Sequence, residues 1–320
     1  PHLGVPRMKM ADGPLGVRNF GLATAFAGGI ALAATWNTQL ARRVGTELGR
    51  DARAKGVHFL LGPAVNIYRA PMNGRNFEYF GEDPFLASRL AVDYIKGVQS
   101  QGVSATVKHF MGNNSEFDRH RTDSIIDERT MREIYLPTFD AAVKEARVGA
   151  IMDSYNLVNG EHASQNKFLL TDVAKQEWGF DGIMMSDWFA TYDGVAATNA
   201  GQDLEMPSGA HMNRKNLLPA IEQGKVSVAT IDDKVRRMLR TAVRPPAARR
   251  PLRSSPSRNP ARAAPRAGAS PTTSPIIVVT VRANANTGPS SAIASTRGSP
   301  GGLSATRART PAWATASPST

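Results

Sequence analysis

The sequence predicts an α/β fold: a TIM-like (β/α) barrel, complete or not, followed by a disordered Arg/Pro-rich tail. Short apolar runs alternate with amphipathic helical stretches up to residue 243, the pattern of a parallel sheet. Six of these runs end in polar or charged residues, as barrel strands do where they open onto a catalytic face. After residue 243 the composition changes abruptly. Residues 244–320 contain 11 Arg and 12 of the 21 Pro, and no Asp, Glu, Lys, His, Phe or Tyr.

The first strand is read over residues 7–12, ending in Asp12, with Gly13-Pro14 turning the chain toward Arg18. Leu32, Trp36, Leu40, Val44 and Leu48 recur at helical spacing and predict a helix over 31–55, which Gly56 ends. Residues 57–61 are the second strand. A long loop follows, containing Gly74-Arg75-Asn76-Phe77-Glu78, a composition that commonly shapes ligand sites. A helix over 86–101 leads to a third strand at 103–107, with Lys108-His109 at its end and Asn113, Asn114, Glu116 and Arg119 in the next loop. A helix over 127–147 leads to a fourth strand at 149–152, followed by Asp153-Ser154-Tyr155-Asn156. Residues 168–178 are helical. The fifth strand lies within Gly182-Ile183-Met184-Met185-Ser186-Asp187-Trp188, and a short sixth lies near 203–207. Helices over 214–223 and 228–243 close the ordered region.

The formal net charge of +12 suggests nucleic acid at first sight. Of the 39 basic residues, however, 11 are tail arginines, which leaves 28 against 27 acidic residues before residue 244. The basic character therefore belongs to the tail. With so little to bury, residues 244–320 are expected to be low-complexity and disordered, or the product of a shifted reading frame. Only Ile276-Ile277-Val278-Val279 there reads as a strand. The tail offers no aromatic interleaving for base stacking, so no nucleic-acid partner is assigned. The absence of cysteine excludes disulfides, zinc-thiolate sites and cysteine nucleophiles. No apolar run approaches the roughly 20 residues of a membrane span, and no signal peptide is visible. No GxGxxG or GxxxxGK[ST] follows a strand as a nucleotide-binding sheet would require.

A carboxylate directly after an apolar strand is expensive to bury, which makes Asp187 a site candidate; its bland alternative is a helix cap or a turn. Asp12, Lys108, His109 and Tyr155 stand at other strand ends, and Arg75 and Arg119 lie in loops. Each has a dull structural explanation taken singly. Together they would make a pocket of hydrogen-bonding groups of both charge signs, which paired sugar hydroxyls need, and Trp188 offers a flat apolar face for a sugar ring.

At these residues the sequence resembles glycoside hydrolase family 3, in its β-glucosidase-like branch. The matching segments are Asp12-Gly13-Pro14-Leu15-Gly16-Val17-Arg18, Gly74 to Glu78, Glu82-Asp83-Pro84, Lys108-His109-Phe110, Glu116 to Arg119, Met152 to Asn156 and Ser186-Asp187-Trp188. They occur in the family's order and cover nearly all of residues 1–243. Met111-Gly112-Asn113-Asn114 stands where the N-acetylhexosaminidase branch carries a His-containing loop. The resemblance implies a retaining mechanism with Asp187 as nucleophile. It implies that Asp12, Arg75, Lys108, His109, Arg119 and Tyr155 hold the sugar's hydroxyls, that Trp188 is an aromatic at the subsite boundary, and that Met152 is a pocket-wall position. It implies a carbohydrate partner and no cofactor, and no metal is suggested by ligand spacing. Localisation stays open; relatives are often periplasmic or secreted. Oligomeric state also stays open.

The family's acid/base is usually a Glu from a second domain, and this sequence has no Asp or Glu after Asp233. Residues 1–243 are thus expected to be the N-terminal barrel domain, with impaired turnover. A non-catalytic sugar-binding remnant and, through the tail, a basic nucleic-acid-binding protein are the alternatives.

Overall fold

The computed structural model describes residues 7–243 and 279–281. Strand β1 (Met10–Asp12) is followed by β2 (Ala23–Ala25), helices α1 (Gly29–Ala33) and α2 (Thr38–Ala54), and strand β3 (Phe59–Leu61). Helix α3 (Pro84–Ser100) leads to β4 (Ser104–Phe110), then to β5 (Asp123–Ser124), α4 (Glu128–Thr130) and α5 (Pro137–Lys144). Next come β6 (Ala150–Asp153), β7 (Leu157–Val158), β8 (Glu161–His162) and the wide helix Phe168–Glu177. Strand β9 (Ile183–Trp188), α6 (Gly194–Ala200), β10 (Leu204–Met206), α7 (Arg214–Glu222) and α8 (Val228–Val243) follow.

The main sheet is six-stranded, in the order β1-β3-β4-β6-β9-β10, with every neighbouring pair parallel. It curls into a half-barrel. Strand alternation separates two cores. Leu60, Ala105, Val107, Ile151 and Met184 point toward the helices and join the large core there. Phe59, Leu61, Ala150, Met152, Ile183, Met185 and Met206 form a second cluster in the hollow, onto which Met8, Met10 and Met238 of α8 pack. The flexible thioether side chains fill this irregular interior. Outside the sheet, α2 and α3 cross so closely that Gly45 faces the backbone of Tyr94, and Gly97 that of Arg42, with no room for a Cβ.

Several expectations shift in detail. The helix read over 31–55 is broken. Trp36 takes a left-handed backbone (φ 52°) and is exposed, and Asn37 restarts the helix by accepting the Leu40 N–H at 2.9 Å. The helix read over 127–147 is likewise interrupted by a wide π turn at Met131–Tyr135. Pro137 explains the break, because it has no N–H to continue the ladder. Strand β4 runs to Phe110, so Lys108 and His109 lie within it rather than after it. The register shifts between Val107 and Phe110, a bulge within this stretch. The small sheet β5-β7-β8 is built from two-residue strands too short to show in the apolar pattern. The apolar run 276–279 overlaps by one residue the strand β11 (Val279–Val281), which pairs antiparallel with β2. The remainder of the expected disordered tail lies outside the described residues.

Candidate active site

The C-terminal ends of the parallel strands surround a cavity of about 620 Å³. Asp12 comes from β1, Lys108 from β4, Met152 from β6, and Asp187 and Trp188 from β9; Arg75, Arg119 and Tyr155 come from loops. All eight line the cavity. His109 does not. It is fully buried behind the wall, where Asn66 Oδ1 accepts its backbone N–H at 2.8 Å.

Arg75 is the hub. Its Nε donates to Glu78 Oε1 at 2.6 Å, its Nη2 lies 2.6 Å from His109 Nε2, and its Nη1 lies 3.6 Å from Asp187 Oδ2. Burial works against its charge, but Glu78, Tyr79 and Asp187 outweigh burial and raise Arg75 above the usual range. A guanidinium only donates, so His109 Nε2 must accept, and its proton sits on Nδ1, 3.2 Å from Asn66 Oδ1. Burial, then Arg75 and Lys108, push His109 well below its ordinary value. His109 is therefore neutral, and its 3.6 Å approach to Asp187 Oδ2 is not an ion pair.

Next to this group Lys108 Nζ, 4.0 Å from Glu78 Oε2, lies 2.5 Å from Asp12 Oδ1, and Arg18 donates to Asp12 Oδ2 at 2.8 Å. Burial opposes the charge of Asp12, yet Lys108 first and Arg18 next hold it below the usual carboxylate range. Arg119 donates to Glu116 Oε2 at 2.7 Å and lies over the Tyr155 ring at 4.0 Å. Burial, then Asp187, push the Tyr155 phenol up, so it stays a donor.

Asp187 is the exception among these paired groups. Its Oδ1 accepts the Trp188 N–H at 2.7 Å, while Oδ2 is buried with no partner within hydrogen-bond distance among the described residues, and the Tyr155 phenol stands near enough to act on the carboxylate as a donor. The strand end is held from behind by Asp153, whose Oδ1 accepts the Asp187 N–H at 3.2 Å. Beyond it, Trp188 is half exposed at the mouth, and Phe189 is forced to φ 60°, a strained backbone for an aromatic residue. The arrangement presents one unoccupied carboxylate oxygen to a cavity whose other polar groups are fixed in advance. Among the described residues, no group of three or more His, Cys, Asp or Glu could hold a metal ion.

Two residues at the site lie outside the sequence candidates. Glu78 is a buried wall residue tied to Arg75, and its signal was present as the acidic partner three residues on. Asp153 is fully buried at the end of β6, and burial first, then Asp187, raises it well above the usual carboxylate range. The signal that singled out Asp187, a carboxylate ending an apolar strand, applies equally to Asp153.

The sequence pattern described as Glycosyl hydrolase family 3 N terminal domain matches residues 1–241. The chain is 50% identical over 244 residues to a β-glucosidase of Rhizobium radiobacter, covering 74% of this chain and 30% of that protein. It is 47% identical to the thermostable β-glucosidase B of Acetivibrio thermocellus, covering 75% of this chain and 33% of that one. Its fold superposes on β-glucosidase 3B of Thermotoga neapolitana in complex with glycerol with a TM-score of 0.73 at 43% identity, covering 76% of this chain and 36% of that chain. The Kluyveromyces marxianus β-glucosidase in complex with glucose gives a TM-score of 0.73 at 39% identity, covering 76% and 30%. The chain thus spans about a third of the length of the relatives it matches.

Proposed function

The chain belongs to glycosyl hydrolase family 3, matching its N-terminal domain, and from that premise we propose that residues 1–243 form the nucleophile-bearing, sugar-binding domain of a retaining β-glucosidase-type glycosidase. The observation that carries this reading is Asp187 Oδ2, buried, without a hydrogen bond, and 3.6 Å from the Arg75 guanidinium at the cavity. A nucleophile needs a free lone pair and compensation for its charge, and this oxygen has both.

In this reading the carboxylate attacks the anomeric carbon and expels the leaving group, giving a glycosyl ester that water hydrolyses. Asp12 and Lys108 hold sugar hydroxyls from one wall, Arg119 and Tyr155 from the other, and Met152 packs beneath. Arg75 compensates and orients Asp187, with His109 as the neutral acceptor that fixes Arg75. Trp188 stacks at the mouth. The glucose bound in solved relatives supports glucose as the sugar held here.

A specific observation favours a second reading, sugar binding with slow turnover. Glu78 and Glu116 both line the cavity, but each accepts from an arginine, at 2.6 and 2.7 Å, so neither is set to donate a proton to a leaving group. Without acid help turnover falls by about 10²–10⁴-fold, least for aryl glucosides with good leaving groups. A 2-deoxy-2-fluoroglucoside with an activated leaving group tests both readings. Covalent label on Asp187, located by peptide mass spectrometry, supports the nucleophile. Glucose binding without label supports the second reading, and neither label nor binding removes the carbohydrate assignment.

A further inference from the structure

Beside the cavity, on its outer side, lies a second cluster of titratable rings that the chemistry above does not use. Tyr192 stands in the loop after β9, His120 in the loop after β4, and His162 ends β8. The Tyr192 hydroxyl donates to the Tyr155 carbonyl oxygen at 3.0 Å and lies 2.8 Å from His120 Nδ1. His162 stacks on the Tyr192 ring, with centroids 3.7 Å apart and planes inclined by 21°. The His120 ring lies 4.7 Å from that of Tyr155, whose ring also carries the Arg119 guanidinium.

We propose that Tyr192 is a positioning residue: it clasps the loops after β4, β6 and β9 and so sets the cavity wall made by Tyr155 and Arg119. This rests on the sugar-binding reading of that wall. Hydrogen-bond accounting gives the clasp a direction. A phenol has one proton, and a carbonyl can only accept. Since that proton goes to Tyr155 O, the Tyr192 oxygen must accept from His120, so His120 carries its proton on Nδ1. Burial, then Asp153, push the Tyr192 phenol up to about 12, above an ordinary value at which it already keeps its proton at neutral pH.

Other bonds hold these loops at the backbone. The sheet β5-β7 pairs the first two, and Ser164 donates to Ala190 O at 2.7 Å. Tyr192 differs from them in reaching two residues beside Arg119: Tyr155, whose ring Arg119 covers, and His120, its neighbour in the chain. Its hydroxyl fixes the backbone of Tyr155, and through His120 it fixes the residue next to Arg119. Loss of the hydroxyl leaves the main fold intact and frees the wall to shift. Misplacement of binding groups by about 1 Å is costly in affinity.

The test uses the full chain, with glucose as the probe. In the wild type, ¹⁵N shifts of the His120 ring should report the Nδ1–H tautomer. Tyr192→Phe should move the ring toward the Nε2–H form and raise the Kd for glucose about 10-fold, with an unchanged melting temperature. His120→Ala should weaken glucose to a similar degree, and the double variant should be no weaker than either single one. An Nε2–H tautomer in the wild type overturns the clasp, as do additive losses or a lowered melting temperature with unchanged Kd. If the wild type binds no glucose, the carbohydrate reading falls. The ring shifts then decide alone: a Tyr192→Phe that leaves them unmoved removes the clasp, and one that moves them keeps it.

Discussion

Two buried clusters of lysine, arginine and aspartate lie along the same strands, and they behave differently. At the end of β9, Asp187 faces Arg75 with one oxygen unbonded. At the start of β9, Asp203 is closed on both sides. Its Oδ1 pairs with Lys175 at 2.7 Å, and its Oδ2 accepts the Met184 N–H at 2.9 Å. Lys234 of α8 completes this second group by donating to Gln202 O at 2.6 Å. The residue types are nearly the same. What differs is satisfaction: a carboxylate with every lone pair engaged is a strut, and one with a lone pair held free at a cavity is a reagent.

The largest expected effect separates the two by chemistry. Asp187→Asn should reduce labelling by the fluoroglucoside about 10⁴-fold or more, with little change in melting temperature. Equal labelling in wild type and variant would show the wrong carboxylate has been chosen. Asp203→Asn should do the reverse. It strips a buried lysine of its counter-charge and should cost about 3–5 kcal/mol in denaturant unfolding, while the labelling rate per folded molecule stays the same.

A third, smaller effect is a pH dependence confined to the second cluster. Lys234 is brought down to about 8, by burial first, with Asp203 opposing and Lys175 adding to the shift. Because the folded value lies below the ordinary 10.5, the native state loses its proton first. The cost of burying the charge is therefore fully present below pH 8, and stability recovers as pH rises toward 10.5. Urea unfolding from pH 7 to 10 should show a Lys234 contribution of up to about 1.4 kcal/mol per pH unit that Lys234→Met removes, on top of any rise from Lys175, which burial also lowers. Parallel curves for the two proteins would exclude Lys234 as its source. The smallest effect concerns the first cluster. Asp12→Asn should weaken glucose about 10–100-fold. Asp12 is held below its ordinary 3.8, so the wild type should keep its affinity above that pH and lose it as pH falls further. The variant should lack this acid limb.

The sequence made the sheet legible because each strand is a short apolar run with a polar residue at its end, and backbone pleating turns that pattern directly into position. The same logic brought Asp12, Lys108 and Asp187 to one rim. It failed where geometry is set by a single residue out of register. Trp36 breaks a helix that its own spacing suggests, and His109, two residues after the helix-facing Val107, lies behind the wall instead of lining the cavity. Glu78 and its partner Arg75 stand three residues apart in one segment, but only the fold shows that the pair is buried in the cavity wall. Lys175 and Lys234 carry no mark in the sequence, since a lysine's reach across to another element leaves no trace in periodicity. The clasp of Tyr192 joins residues 37 and 72 positions apart, which no local pattern could link.

Among the described residues, no ladder hydrogen bond joins β1 to β10, the two lips of the half-barrel. A closed barrel has its girth fixed by a ring of backbone bonds, and this one does not. Asp12 sits on one lip, and Asp187 one strand in from the other, so the span between them is governed by how tightly the sheet curls. A sugar bridging that span would act as a brace, stiffening a mouth that the backbone alone leaves compliant.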